Sequence, residues 1–516
     1  MTDPAPEPDA PQILIVGAGP TGLVLALCLA TAGIAVRVID ARAVAATTSR
    51  AIGIQARTLE LLELFGLADT FVAQGLRARA GNVYAGTKRL VHLDLSRLQS
   101  RFPFILLLEQ TETERLLTRA LGRLGVTVER GVELVSFEQD PGGVTARLSD
   151  QGVSSTARFA YLAGCDGAHS VVRHALNIGF AGRTLDQRFV LADLDINWAL
   201  PNDQFHIFTS AQGLMAIFPM RRGHRLIAET PAASVDPAGG PTLPQLQALV
   251  AGRTPTAMAL SDLRWSSFFR VNSRLATRLR GGRVFLVGDA AHIHSPAGAQ
   301  GMNTGVQDAV NLAWKLALVA GGKAQPALLD SYETERYPVE KGVLTKTEAL
   351  TRMVSLKGAL PRRIRDLVAP VVTRTGLVQR LARDTISQIS VGYRVGAAGR
   401  HGLADGDRVP DLLIEPRPTG PAQRLYPLLD PAGFTLLVVS AEEPDRAHRD
   451  LLAALAPRQV KVIAARRAGD ARRGIDPDGF FLIRPDAYLA IQGPLSRLGD
   501  ARAWLDARLG PATARR

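Results

Sequence analysis

The chain has 516 residues, enough for two to four domains with a large core, and its 46% hydrophobic and 21% charged content is that of an ordinary soluble globular protein. Its net charge of +13 invites a nucleic-acid reading, but the basic residues are mostly arginine and are spread along the whole chain. They form neither a block of about five or six like charges nor a stretch interleaved with aromatics. Nucleic acid is therefore not expected as a partner, whereas anionic small molecules suit such a surface.

Residues 1–11 are proline-rich and acidic and read as a disordered tail. The apolar run at 13–36 is no signal peptide, because three acids and no base precede it. It is no membrane span either, because Gly17, Gly19, Pro20 and Gly22 break it at a turn. The pattern predicts strand Ile13–Gly17, helix Thr21–Ala32 and strand Val36–Asp40. Gly17, Gly19 and Gly22 fit GxGxxG, which allows a tight turn, backbone approach to a pyrophosphate and close helix–strand packing. Asp40 ends the second strand 18 residues after Gly22, where an acid can take ribose hydroxyls. This fingerprint occurs once, so one dinucleotide is held firmly and any second one visits without a unit of its own.

The two cysteines, Cys28 and Cys165, fall in apolar patterns and read as buried thiols. Without a CxxC, dithiol chemistry and a thiolate metal site are not expected, no metal ligand set is assigned, and a reducing, cytoplasmic compartment follows.

Helix Thr58–Phe65 is predicted after Ser49-Arg50-Ala51. Strand Phe104–Gln110, helix Thr111–Leu124 and strand Val126–Phe137 follow, with Thr111 and Glu114 spaced as a capping box. A hairpin of Val144–Leu148 and Ala157–Leu162 leads to Asp166, which on its own reads as a helix N-cap. From about Phe180 to Arg274, short strands at Phe189–Trp198, Gln204–Thr209, Gly213–Pro219 and His224–Glu229 indicate an antiparallel sheet. Phe205, Ile207, Met215, Ile217 and Phe218 are its candidate pocket residues. Strand Val284–Val287, the turn at Gly288-Asp289, a loop holding Pro296, Gly298 and Gly301, and a helix from Met302 and Asn303 come next. Such a helix start favours electron-rich groups, and Asp289 can accept from ribityl or ribose hydroxyls. A helix at Ala327–Leu350, a helical connection over 361–395 and a small α/β unit at about 396–510 complete the chain.

Three motifs in order, GAGPTG at 17–22, CDGAHS at 165–170 and GDAAHIHSPAGAQGMNTGVQDAVNLAWKL at 288–316, with SRAIGIQARTLELLELFGL at 49–67, resemble class A flavoprotein aromatic hydroxylases. The resemblance is to the subgroup of phenol hydroxylase and the aromatic polyketide hydroxylases, and IRPDAYLA at 483–490 fits the end of that subgroup's cysteine-free appendage. It implies an α/β fold with a Rossmann-like FAD-binding domain at 12–179 and 275–395. An antiparallel-sheet substrate domain would be inserted at 180–274, and a thioredoxin-like domain without CxxC would occupy 396–516. Gly17, Gly19 and Gly22 would hold the FAD pyrophosphate and Asp40 the adenosine ribose. Arg50 and Gln110 would contact FAD, and Leu134 would lie against its adenine. Asp166 would serve both the pyrophosphate and the visiting nicotinamide cofactor, and Asp289 the ribityl chain. Pro296 would lie near the flavin ring, with the Met302 and Asn303 backbone at its pyrimidine end.

The implied activity is FAD-dependent monooxygenation using NADPH or NADH and O2, through a flavin C4a-hydroperoxide, on a phenolic or polycyclic aromatic substrate. FAD would be bound non-covalently, and a homodimer is one assembly open to such a chain. Ile52 stands where phenol hydroxylase-like sequences carry an aspartate that handles the phenol proton, so no side-chain base is assigned. Ile52 is then only a candidate pocket wall. A Baeyer–Villiger oxygenase or an antibiotic-inactivating monooxygenase on the same scaffold, and a non-catalytic dinucleotide-binding module, remain as alternatives.

Overall fold

The computed structural model describes residues 12–46, 51–230, 240–295, 298–354, 376–394, 403–417, 420–440, 446–455, 460–467 and 479–509. Its first α-helices are α1 (Pro20–Thr31), α2 (Ala56–Glu63), α3 (Ala68–Gln74), α4 (Gln110–Arg123), α5 (Val171–Ala175), α6 (Leu243–Ala251), α7 (Gly301–Ala320) and α8 (Asp330–Val354).

A six-stranded sheet forms the base, in the order 280–281, 284–286, 161–164, 13–16, 36–40, 128–130, and all its pairings are parallel except the first. Its central strand Ile13–Val16 is buried throughout, as expected of a parallel strand covered on both faces. Helix α1 is apolar nearly all round because it is sandwiched rather than solvated. The segment expected as one strand at Val126–Phe137 is two, Val128–Arg130 and Val132–Asp140. Gly131, at φ +78°, turns the chain from the parallel sheet into a separate three-stranded antiparallel one. The expected capping box is also absent: α4 begins one residue earlier, capped by Glu109 without a side-chain bond, and Glu114 accepts from Gln110 at 2.9 Å instead.

An eight-stranded sheet stands over this base, in the order 292–293, 259–276, 180–197, 224–230, 213–219, 204–210, 80–85, 88–94. The four short strands expected from the sequence are present, the first as part of a longer strand. Two features differ. The strand Ala259–Ala276 interleaves charged and apolar residues and gave no clean alternation. Residues 80–94, assigned by sequence to the base domain, belong to this sheet through the parallel pairing of 80–85 with 204–210, a contact between distant segments that no local pattern announces.

The sheet is tied down at both sides. Arg183 and Ser273 bond to Glu348 of α8 at 2.7 and 2.6 Å, and Arg221 donates to the carbonyl of Ala73 in α3 at 3.1 Å. Its two faces are both apolar. One carries Val190, Ala192, Phe208, Met215, Ile217 and Leu226 and is covered by Leu246 and Val250 of α6. On the other, Phe205 and Met220 join the core of the base, and Ile207 and Phe218 pack against it. The period-two geometry of a strand therefore divides the candidate pocket residues. Phe205, Ile207 and Phe218 face the base, whereas Met215 and Ile217, fully buried, point the other way and are core under α6.

The C-terminal unit has a six-stranded sheet ordered 423–424, 413–416, 461–467, 435–439, 479–483, 489–494, with helices Arg446–Leu455 and Gly499–Leu509. Its core includes Trp314 and Leu318 of α7, so that helix belongs to two cores at once. Among the described residues no helix is long and apolar enough to cross a membrane.

Candidate active site

Because strands 13–16, 36–40, 161–164 and 284–286 are parallel neighbours, the residues that follow them, Gly17, Asp166 and Asp289, with Asp40 at a strand end, come to one edge of the sheet. That carboxyl edge is where open α/β sheets bind ligands. The three glycines have separate reasons. Gly17 has φ +105°, and a Cβ there would lie 2.3 Å from the Cys165 carbonyl oxygen. A Cβ on Gly22 would lie 2.0 Å from the Gly17 carbonyl oxygen, so close packing of α1 demands glycine. Around Gly19 nothing lies within 4 Å of a Cβ. It precedes Pro20 at the first position of α1, so open space meets free amides there, and this fits a pyrophosphate.

Asp40 is nearly buried and well engaged. It accepts from the Ala18 amide at 2.9 Å and from the Arg42 amide at 2.9 Å, and the Arg42 guanidinium adds two bonds at 3.1 Å. Burial alone would raise its pKa, but Arg42 and the two amides outweigh burial and hold the carboxyl below its usual range. It thus fixes the glycine turn. Arg42 was not singled out in the sequence, although its i+2 spacing from Asp40 was a usable sign.

Asp166 accepts from the Val172 amide at 3.1 Å and so helps cap α5, whose N-cap is Ser170. Its Oδ1 is buried without a partner, and burial pushes its carboxyl above the usual range. A buried orphan oxygen at the dinucleotide edge goes beyond capping. Arg173 was also missed: it donates to the carbonyls of Ala290 at 3.0 Å and Ala168 at 2.9 Å, with its guanidinium carbon 3.9 Å from the Phe180 ring centre. It braces the Asp166 loop against the Asp289 turn. Asp289 itself is exposed in a single 3-10 turn, Gly288–Ala290.

The other wall is a junction between two distant segments. Asn303, in the first turn of α7 and fully buried, accepts from the Gln55 amide at 2.9 Å. It donates to the carbonyls of Gly53 at 2.8 Å and Ala299 at 2.7 Å. Gln55 donates in turn to the Gly298 carbonyl at 2.9 Å. Ala299 sits at φ +52°, a conformation that costs a non-glycine residue roughly 1–2 kcal/mol and that this network holds. Met302 is half-buried beside Asn303. Gln110 accepts from the Ala51 amide at 3.3 Å, and Ile52 is buried with its carbonyl taken by the Leu108 amide at 2.7 Å. Arg50 and Pro296 lie outside the described residues. Leu134 is buried in the core, and the backbone beside Asp40 is that of Gly131, which donates to the Asp40 carbonyl at 2.8 Å.

Behind α7 lies a buried ionisable cluster. His292 Nε2 is 2.7 Å from Asp308 Oδ2 and 3.9 Å from Glu340 Oε1, and Arg336 donates from Nε to Asp308 Oδ1 at 2.7 Å. Both Glu340 oxygens are buried without a hydrogen bond. The ligand atoms of His292, Asp308 and Glu340 lie within 4.8 Å of one another, as a metal site would need. The Arg336 charge beside Asp308 opposes a second cation there, and proton sharing accounts for the set. Burial would lower the His292 pKa, but Glu340 and Asp308 push it up to about 9. Burial and Asp308 raise Glu340 to about 8. His294, stacked on His292, is pushed down to about 4 by burial and by its neighbour.

These features give two tests. Gly19→Ala should leave apoprotein stability unchanged yet weaken FAD binding by roughly tenfold or more, because its Cβ enters ligand space, whereas Gly17→Ala should prevent proper folding. FAD titration and thermal melts of the apoprotein check both. In the cluster, His292 and Glu340 both hold their protons more tightly in the fold than when unfolded. Their contribution is therefore full below the unfolded pKa of each and is lost as pH rises towards about 8 for Glu340 and 9 for His292. The melting temperature should fall as pH rises from neutral through this range, and Glu340→Gln should make that fall shallower. An unchanged slope contradicts the proton-sharing account.

Residues 10–347 match the family model described as FAD binding domain, and residues 402–512 that described as aromatic-ring hydroxylase, C-terminal. The 6-methylpretetramide 4-monooxygenase of Streptomyces rimosus is 36% identical over 527 residues, covering 95% of this chain and 92% of that protein. Pentachlorophenol 4-monooxygenase of Sphingobium chlorophenolicum is 34% identical over 511 residues, covering 95% and 91%. The solved anhydrotetracycline hydroxylase of Streptomyces rimosus superposes with a TM-score of 0.80 at 33% identity, covering 97% of this chain and 99% of the other. A single glycine fingerprint, an acid-bearing carboxyl edge and a sheet standing over it are thus accounted for together: the chain belongs to the FAD-dependent aromatic-ring hydroxylases and is a flavoprotein monooxygenase.

Proposed function

We propose that this monooxygenase uses NADPH or NADH and O2 to hydroxylate a phenolic or polycyclic aromatic compound seated beneath the eight-stranded sheet. The observation that carries this reading is the base-directed face of that sheet. Phe205 and Phe218 are stacked with ring centres 5.7 Å apart, and Phe189 and Phe269 stack at 5.6 Å. Ile207, Leu214, Phe218, Ile227 and Phe269 remain partly exposed. Flat aromatic walls favour a flat aromatic guest. The relatives are named as monooxygenases of 6-methylpretetramide and pentachlorophenol, which supports an aromatic substrate here.

FAD, when bound, supplies the redox chemistry that couples nicotinamide oxidation to activation of O2. Gly17, Gly19 and Gly22 would admit its pyrophosphate, Asp289 would accept from its ribityl hydroxyls, and Asp40 would accept from its ribose hydroxyls in place of the exposed Arg42 guanidinium. The α7 N-terminus would face the electron-rich edge of its ring. A helix start contributes roughly 0.3–1 kcal/mol when exposed and up to about 2 kcal/mol when partly buried, which biases charge without explaining catalysis. The main task of the apolar face is to exclude water and hold the substrate ring. Ile52 offers no proton acceptor. On the sheet face Arg225 is fully buried and bound to Asp193 by two 2.7 Å bonds, so neither is spare. The substrate proton accordingly leaves through water, or the substrate is already acidic. The two buried free thiols support a reducing, cytoplasmic setting.

The test is nicotinamide oxidation across a panel of phenols and polycyclic polyketides, with hydrogen peroxide measured in parallel. A true substrate should yield a product one oxygen atom heavier with little peroxide. Phe218→Ala should then raise its KM by roughly tenfold, the worth of a lost aromatic contact, while Ile217→Ala, on the opposite face, should leave KM within about twofold. Panel-wide oxidation giving only peroxide, or equal effects of the two substitutions, would sink the proposal.

A further inference from the structure

Helix α7 carries a stripe of Asp308, Asn311, Trp314 and Lys315, all buried although three are polar or charged. Asn311 and Trp314 meet the C-terminal unit directly, whereas Asp308 is bound by His292 and Arg336 and Lys315 by Glu335 of α8. Trp314 donates from its indole nitrogen to Asp486 Oδ2 at 3.1 Å. Lys315 donates to Glu335 at 2.9 Å, and Arg484 makes two 2.8 Å bonds to Glu335 and further bonds to Asp486 at 3.0 and 2.6 Å. The same segment reaches α2. Arg57, fully buried, donates to the Asp486 carbonyl at 2.8 Å and to the Tyr426 hydroxyl at 2.7 Å, and its guanidinium carbon is 4.8 Å from the Tyr488 ring centre. Arg408 bonds to Glu60 of α2 at 3.0 Å.

One turn, Arg484–Tyr488, therefore grips both helices whose first turns meet at the Gln55–Asn303 bond. Buried ion networks are poor sources of net stability, since desolvation consumes most of their attraction. In some proteins such networks instead fix one geometry among the alternatives. The unit contains no cysteine, so its role is not dithiol chemistry.

We propose that the C-terminal unit is a positioning element of the flavin site, setting α2 against α7 through Arg57 and Asp486; this rests on the Gln55–Asn303 junction being part of that site. Arg57 and Asp486 act through Asn303 and the α7 start and touch no reacting atom.

The test compares Tyr426→Phe and Asp486→Asn with Leu505→Ala, which destabilises the same unit from its last helix. In apoprotein, amide exchange at residues 55–59 should rise in the first two variants. Their dissociation constants for FAD should rise about tenfold, with altered visible flavin spectra. Leu505→Ala should lower the melting temperature and leave FAD affinity within about twofold. FAD affinity and exchange unchanged in both junction variants overturn the proposal, as does an equal loss of affinity in Leu505→Ala, which would make the effect one of general stability. If Gly19→Ala also leaves affinity unchanged, the site assignment itself fails; if Gly19→Ala weakens binding and the junction variants do not, only the positioning role fails.

Discussion

Asn303 holds three backbone groups from two segments nearly 250 residues apart, accepting from the Gln55 amide and donating to the carbonyls of Gly53 and Ala299. An amide is the one side chain of its size that offers an acceptor and two donors together. The bonds hold the 298–303 turn in its strained form and direct the first amides of α7 at one place. Along its length α7 is then held from three sides: by α1 and the parallel sheet, by the His292–Asp308–Arg336 cluster, and by the C-terminal turn at Arg484–Tyr488. The site is a consequence of how this helix is seated.

Much of this was legible because the constraints are local. At Gly17 and Gly22 a Cβ would strike backbone within a few residues or on the neighbouring strand, so the turn restricts residue type wherever it occurs. Asp40 is likewise fixed by the strand it ends. The faces of the upper sheet were not legible, because both are apolar: Met215 and Ile217 read like Phe218 until α6 is seen to cover one side. A strand alternation can locate a face only when the other face is wet. The return of residues 80–94 to that sheet depends on a parallel pairing with 204–210, and nothing local records it.

The polar stripe of α7 teaches a related lesson. Amphipathicity marks a boundary between unlike surroundings without saying that the polar side is water. Here Asp308, Asn311 and Lys315 face other polar and charged groups inside the protein, and the IRPDAYLA segment that closes the sequence resemblance supplies Asp486 to Asn311 and Arg484 to the Glu335 that Lys315 also bonds. The motif and the appendage, distant in sequence, are two halves of one packing arrangement.

The most direct test of the account is titration of FAD into apoprotein of the wild type and of Asn303→Asp, which keeps the acceptor for Gln55 and loses the two donors. The account predicts one FAD per wild-type chain and a dissociation constant raised by roughly tenfold or more in the variant. A wild-type chain that takes up no FAD, or an aspartate variant that binds it equally well, would contradict it.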